Sequence, residues 1–589
     1  SGYEILVASS LANLADDRGD LWNSGKVVSG RSTQIPYAGE TLHSGEKVYW
    51  KVRVWNQDGT ASRYSAEATW EMGLLVPQDW RPARWIARNL DQNDPLAPML
   101  RREFTLQKAI KRARVYVCGL GYYELHLNGR KVGNHLLDPA YTDYNRRVLY
   151  VTYDVTSQLH LGTNALGAIL GNGWYNMQTE VGWGFQNASW RSSPRLLLKL
   201  EVEFADGSRT NFVSDASWQS STGPIVYDNI YGGETYDASL EKPGWDLAGY
   251  DASQWKPARV VSGPKGRLVA QAMPPVKAFD VLKPVALTEA KPGVWLFRFG
   301  QNLAGFAQLR VRGPAGTKIV LKYGEEVGTN GLLNVKDISA YHTLTGPGQQ
   351  FQTDTYILKG QGEETWHAQF DYDGFQYVEV TGFPGKPSLN SLRAVFIHSA
   401  VPETGHFVCS NPILNKIQHA TRWSFLSNLQ GYPTDCPQRE KSGWTGDAHL
   451  AAEQAMYNFM PAAVYEKWLN DMSDVPWTNG ELPAIGPTPG FGYDWGNGPA
   501  WDSALLLIPD YLHEYYGDTR VLAEHYAGMK RYVDYLTGHA TNGIVSIGLG
   551  DWVPVKTDTP VPVTSTAYYF KAAQMVSRTG AVVGHPMHA

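Results

Sequence analysis

The hydrophobic period of this chain changes once, near residue 403, and that change limits what it can fold into. Before it, apolar and polar residues alternate in short runs, as in Val48-Tyr49-Trp50-Lys51-Val52-Arg53-Val54-Trp55 and Tyr123-Glu124-Leu125-His126-Leu127-Asn128. A period of two belongs to strands with one buried face. After it, apolar residues recur at three and four through 411–430, 447–472, 502–516, 519–537 and 564–577, the period of amphipathic helices. The fold class expected is therefore multidomain: N-terminal β-sandwich domains, then a helical domain. A chain of 589 residues is long enough for several cores.

Turn signals divide the β part. Residues 1–75 read as a fibronectin-III-like β-sandwich that opens directly on a strand, Tyr3-Glu4-Ile5-Leu6-Val7-Ala8, which predicts an N-terminal truncation. Residues 80–270 read as a second sandwich or jelly-roll-like accessory domain with a hairpin turned by Asn128-Gly129. Its cluster of Trp174, Tyr175, Trp183, Phe185 and Trp190 is either packed core or an accessory sugar-binding surface. A third sandwich spans 271–402, and 403–589 is the helical domain, in which Asp518 is placed to cap a helix carrying Val521, Leu522, Tyr526, Met529, Val533 and Leu536 on one side.

Composition removes several functions. A net charge of −5 supplies no basic footprint for nucleic acid, and no run of 18 apolar residues suggests a membrane span. Cys118, Cys409 and Cys436 are too few and too far apart for a disulfide framework. No leader is visible, and localisation stays open between cytoplasm and export.

The segment from Pro433 to Asp447 (Pro-Thr-Asp-Cys-Pro-Gln-Arg-Glu-Lys-Ser-Gly-Trp-Thr-Gly-Asp) carries the chemistry. Pro433, Pro437, Gly443 and Gly446 oppose a continuous helix across it, so it reads as a charged loop held between two core helices. It gathers Asp435, Glu440 and Asp447 with Arg439 and Trp444. Paired acids are the machinery of glycoside hydrolysis, and an aromatic ring beside carboxylates suits a sugar. The bland alternative is a solvated, salt-bridged connection, against which Trp444 argues. The segment has one Cys and no His before His449, short of a zinc pattern, so neither metal nor cofactor is expected.

Asp435-Cys436-Pro437-Gln438-Arg439-Glu440, followed by Gly443-Trp444-Thr445-Gly446-Asp447, resembles the signature of the bacterial α-L-rhamnosidases of glycoside hydrolase family 78. Many relatives carry one more residue between the Arg and the Gly-Trp. Upstream, Phe299-Gly300-Gln301-Asn302-Leu303-Ala304-Gly305-Phe306 and Asp373-Gly374-Phe375-Gln376-Tyr377-Val378-Glu379-Val380 resemble the β-domain before the family's barrel. The resemblance implies an (α/α)6 barrel and an inverting hydrolase that removes terminal α-L-rhamnose from a carbohydrate partner. It makes Glu440, four residues before Trp444, the general acid. Asp435 and Asp447 become binders of sugar hydroxyls, with Arg439, Trp444, Trp501 and Trp552 as further pocket residues.

Such a barrel takes twice as many helices as the periodic segments supply, so the helical domain reads as incomplete. The family's general base, a Glu far downstream of the acid, is then not present, and the missing half of the barrel is a candidate partner. A barrel closed by 403–589 alone would move the search for a base to Glu453, Glu466, Glu481, Asp494, Asp502 and Asp551. Two other functions compete: a carbohydrate-binding protein without turnover, and another (α/α)-barrel glycosidase.

Overall fold

The computed structural model describes residues 1–343, 350–493 and 495–585, and the chain divides into two compact units, Ser1–Pro82 with Leu512–Leu522, and Ala83–Tyr511 with Ala523–Ala589. In the first unit, Gly2–Ala8 pairs antiparallel with Lys47–Trp55, which pairs with Ala68–Glu71. Leu6, Ala8 and Leu14 form its small core. Asp518 accepts from the backbone N–H groups of Arg520 (2.9 Å) and Val521 (3.2 Å), the cap expected of it.

In the second unit, a six-stranded and a seven-stranded sheet share one core. Leu100, Phe104, Leu125, Leu127, Leu166 and Leu170 come from one sheet, and Val115, Val117, Leu196, Leu198 and Leu200 from the other. Alternation along each strand puts these residues on the inner faces. The hairpin between Tyr122–Leu127 and Arg130–Lys131 turns at Asn128 (φ 51°) and Gly129 (φ 79°), two left-handed positions that this pair tolerates. Trp174, Tyr175, Trp183, Phe185 and Trp190 are all buried, Trp174 stacking on Tyr141 at 5.4 Å. The rings pack against one another and against Tyr141, Tyr144 and Tyr231, and Trp183 also reaches the cavity that Glu440 lines.

A ten-stranded sheet follows, with the long strand Val294–Arg312 at its centre, paired with Asp373–Thr381 and Leu392–Ser399. Strands Ile225–Asn229 and Gly233–Asp237 join this sheet by a parallel pairing to Thr353–Ile357.

Seven helices follow among the described residues: α1 Pro412–Ser427, α2 Thr445–Asn458, α3 Ala462–Asp474, α4 Pro499–Asp502, α5 Ala504–Tyr516, α6 Thr519–Gly538 and α7 Val561–Val582. The periodic run 447–472 is thus two helices, broken at Pro461, which has no N–H to give a continuous ladder. An incomplete ring of helices would leave the apolar sides of both 411–430 and 519–537 open, and the two differ. The first half of α1 is open: Ile413 is 65% exposed, Leu414 and Ile417 are exposed with it, and only Phe425 and Leu426 of its apolar residues are buried. The apolar side of α6 is covered instead at Tyr526, Met529, Tyr532 and Leu536. Periodicity marks an amphipathic face but not the element that covers it. None of these helices is long and apolar enough to cross a membrane.

Candidate active site

The loop after α1 folds back on itself before α2 begins. The Asp435 N–H donates to the Ser442 carbonyl (3.1 Å), the Ser442 N–H donates to Asp435 Oδ1 (3.1 Å), and the Lys441 N–H donates to the Cys436 carbonyl (3.2 Å). Pro437 and Gln438 lie against Gly374 of the ten-stranded sheet, where an added Cβ would stand 2.9 Å from both. The Gly443 carbonyl accepts from the Gly486 N–H (2.9 Å), and the Thr445 N–H donates to the Ala484 carbonyl (3.0 Å). At Gly443 an added Cβ would meet the Gly486 carbonyl oxygen at 2.1 Å. Gly443→Ala is therefore expected to cost about 1–3 kcal/mol, the usual penalty of overpacking against backbone. A lowered urea midpoint would register it, and an unchanged midpoint would show that the loop has room to move.

These bonds bring Asp435, Arg439, Glu440, Trp444 and Asp447 to one cavity of about 780 Å³, with Trp501 and Trp552 on the same wall system. Glu440 sits at its centre of charge: Oε2 accepts from Trp444 Nε1 (2.6 Å), and Oε1 accepts from Arg439 Nε (3.1 Å) and Nη2 (2.9 Å). Burial, and then the Glu440 and Asp447 carboxylates, push Asp435 well above the usual carboxylate range. Asp447 moves the same way, from burial first and Glu440 second. Burial works against the Arg439 charge, but the Glu440 carboxylate beside it raises the guanidinium overall. Asp447 lies in the first turn of α2 and lines the cavity; the N-cap position belongs to Trp444. It is therefore free to face a ligand.

Trp501 is held by two contacts. His449 of α2 bonds through Nε2 to the neighbouring Ala500 carbonyl (2.8 Å), and the Trp501 ring covers Gly446, where a Cβ would stand 2.9 Å from Nε1. Trp552 meets Trp501 edge-on at 6.3 Å, and Trp495 joins Trp552 (6.3 Å) to Trp444 (5.9 Å). The cavity also takes Tyr341, Phe491, Trp495 and Tyr568, none of them singled out in the sequence, together with Trp183, read there as core or accessory surface, and Asp551, read there as a candidate base. Trp183 and Phe491 share one weak signal, an aromatic with glycine on both sides, Gly182-Trp183-Gly184 and Gly490-Phe491-Gly492. Tyr341 reaches the cavity beside Arg439, whose guanidinium carbon lies 5.6 Å from its ring centroid. Of the other acids considered for a base, Asp551 lines the cavity and accepts from the Thr559 hydroxyl (2.9 Å). Asp502 is buried among Asn497 and the Tyr532 hydroxyl, and Glu453, Glu466 and Glu481 stand outside the lining. Asp494 lies outside the described residues.

Sheet-rich domains are followed by helices, with acids and tryptophans gathered around one cavity at the first turn of α2. Family models match along most of the chain. They are the Rha78A-like N-terminal immunoglobulin domain at 1–76, the alpha-L-rhamnosidase N-terminal domain at 108–280, the bacterial alpha-L-rhamnosidase concanavalin-like domain at 288–398, and the bacterial alpha-L-rhamnosidase 6 hairpin glycosidase domain at 402–589. An alpha-L-rhamnosidase of Formosa agariphila is 38% identical over 95% of this chain and 62% of its own length. The alpha-L-rhamnosidase of Dictyoglomus thermophilum superposes with a TM-score of 0.92 at 38% identity, covering 100% of this chain and 66% of that one. The Streptomyces avermitilis alpha-L-rhamnosidase, solved with L-rhamnose, gives 0.92 at 31% identity over 99% of this chain and 72% of that one. The chain belongs to the bacterial α-L-rhamnosidase family, glycoside hydrolase family 78. It spans about 62% of the length of the first of these curated relatives.

Proposed function

We propose that this chain carries the sugar-binding and acid half of an α-L-rhamnosidase site, in which Glu440 protonates the glycosidic oxygen as terminal α-L-rhamnose leaves a glycoside or oligosaccharide. The observation that supports it most is the Glu440 carboxyl, held between Trp444 Nε1 and the Arg439 guanidinium inside a cavity lined by three further acids, Asp435, Asp447 and Asp551. Arg439 is 39% exposed, so its contact is the one that gives way when a glycosidic oxygen approaches Oε1. Asp435 and Asp447 accept bonds from sugar hydroxyls, and Trp501 and Trp552 pack on the sugar's apolar faces. The proposed route is inverting, which requires a second carboxylate about 6.5–9.5 Å from the acid to activate water.

We place that base on further helical chain that covers the apolar faces left open here and completes the barrel. Leu450 on the cavity rim is 74% exposed, Phe570 of α7 is 69% exposed, and Ile413, Leu414 and Ile417 of α1 are exposed as well. Large apolar side chains exposed on several helices fit faces that another element covers. The test is hydrolysis of nitrophenyl α-L-rhamnoside by this chain with and without azide, a nucleophile that needs no base. Slow turnover that azide accelerates supports the assignment. Full turnover without azide would place the base within the chain, with Asp551 the first residue to replace.

Trp552 is 54% exposed, so removing it should disturb binding without disturbing the fold. Trp552→Ala is expected to weaken L-rhamnose binding about 2- to 10-fold, the worth of one aromatic contact, at an unchanged melting temperature. Calorimetric titration with L-rhamnose checks this; parent affinity in the variant removes Trp552 from the sugar site.

A further inference from the structure

Lys441 follows the acid in sequence but does not line the cavity. Its side chain is fully buried, and its backbone stands in the left-handed region at φ 50°. A buried ammonium is costly unless it is paired and hydrogen-bonded, and left-handed backbone is costly for a residue with a Cβ. Both costs fall on the residue beside Glu440. Strain of this kind persists only where the surroundings enforce it.

The surroundings are specific. Lys441 Nζ donates to the carbonyls of Ile230 and Tyr372 and stands 4.3 Å from the centroid of the Tyr372 ring. Asp354, Asp371 and Asp373 form a buried nest on this side of the loop, one oxygen from each lying within 4.8 Å of the others. Asp354 accepts from the Tyr323 hydroxyl (2.6 Å) and the Glu234 N–H (2.8 Å), but neither oxygen of Asp371 or Asp373 has a hydrogen-bond partner. Burial pushes the Lys441 ammonium below the usual lysine range, and the Asp373 and Asp371 carboxylates oppose that shift. The peptide itself is clamped: the Tyr231 hydroxyl donates to the Glu440 carbonyl (2.6 Å), and the Tyr432 hydroxyl donates to the Lys441 carbonyl (2.6 Å).

We propose that Lys441 is a positioning residue, whose ammonium acts as the counter-charge of the Asp371–Asp373 nest and pins the left-handed turn that aims the Glu440 carboxyl into the cavity. This rests on Glu440 being the acid. Lys441 anchors the loop to the sheet domain from below, and Trp444 and Arg439 hold the carboxyl from above. A nest of three carboxylates also has the makings of a cation site; on this account Lys441 takes the place of a metal there.

The experiment compares Lys441→Met, which keeps the stem and removes the charge, with Lys441→Arg, which restores a charge, and with Tyr231→Phe, which removes one clamp at little risk to folding. Two quantities are read: kcat and KM on nitrophenyl and alkyl α-L-rhamnosides, and the indole N–H resonance of Trp444, assigned with Trp444→Phe. Lys441→Met should lower kcat about 10- to 100-fold at a KM within about threefold of the parent, the scale of a displaced catalytic group. It should also shift the Trp444 indole resonance. Lys441→Arg should recover most of both, and Tyr231→Phe should show a smaller change in the same direction. EDTA and added calcium should leave the melting temperature unchanged.

Parent kcat and an unmoved indole resonance in Lys441→Met would overturn the proposal. If that variant does not fold, the same parent-like result in Tyr231→Phe would do so. A melting temperature that drops in EDTA would also overturn it, by giving the nest to a metal. A parent protein that neither binds L-rhamnose nor cleaves any rhamnoside would overturn the proposed function instead, and the indole resonance would still decide whether Lys441 orders the Glu440 side chain.

Discussion

Glu440→Gln should lower hydrolysis of alkyl and glycosyl α-L-rhamnosides by about 10²–10⁴, the usual worth of a positioned general acid. Gln keeps the shape and still accepts from Trp444 Nε1 through its carbonyl oxygen, so the cavity should stand. What it loses is the proton. Nitrophenolate leaves without full protonation, so nitrophenyl α-L-rhamnoside should suffer far less than an alkyl rhamnoside. The measurement is kcat/KM for both substrates, made in the longest polypeptide that carries this chain. Equal losses on the two would make Glu440 a binding or structural residue, because a lost proton donor discriminates by leaving group and a lost contact does not.

Asp447→Asn carries the second large effect. The Asp447 carboxylate lies in the first turn of α2 and faces the cavity without serving as the helix cap. A bond from a sugar hydroxyl to a carboxylate is charge-assisted, worth about 1.5–3 kcal/mol, and an amide replaces it with a weaker acceptor. L-Rhamnose affinity should fall about 10- to 100-fold in calorimetry. The pH dependence has a definite sign. Burial and Glu440 raise the Asp447 acid above the ordinary carboxylate range, so the ionised form accumulates only as pH climbs through that raised value. Affinity in the parent should therefore rise with pH across the acidic range, and Asp447→Asn should flatten the rise. A variant with parent affinity and a parent pH profile would take Asp447 out of the sugar site.

The parts of the site that were legible in the sequence are those that are contiguous. Asp435, Arg439, Glu440, Trp444 and Asp447 fall within thirteen residues, so composition and spacing could identify them together; the loop expected through Asp447 ends at Trp444, where α2 begins, and loop and first turn bring the five around one cavity. Trp183, Tyr341, Phe491 and Trp495 come from separate segments, two of them in the β-rich part of the chain. Nothing in their local sequence separates an aromatic that lines a cavity from one in a core. Trp174 follows a glycine as Trp183 does, yet it lies outside the cavity lining and packs on Tyr141 and Phe185. The fold shows the same division. Asn128-Gly129 specified its turn locally, and Asp518 its cap, because both act within a few residues. Periodicity marks α1 as a helix, but whether Ile413 and Ile417 are covered depends on tertiary neighbours that periodicity does not encode.

If this cavity holds an α-L-rhamnosyl unit with its anomeric carbon at Glu440, a crystal of the chain soaked in L-rhamnose will show it there. The sugar is expected within the wall of Trp444, Trp501 and Trp552, its hydroxyls on Asp435 and Asp447, and its anomeric oxygen about 2.6–3.2 Å from a Glu440 carboxyl oxygen. L-Rhamnose bound only elsewhere, with Glu440 still closed between Trp444 and Arg439, would contradict that placement.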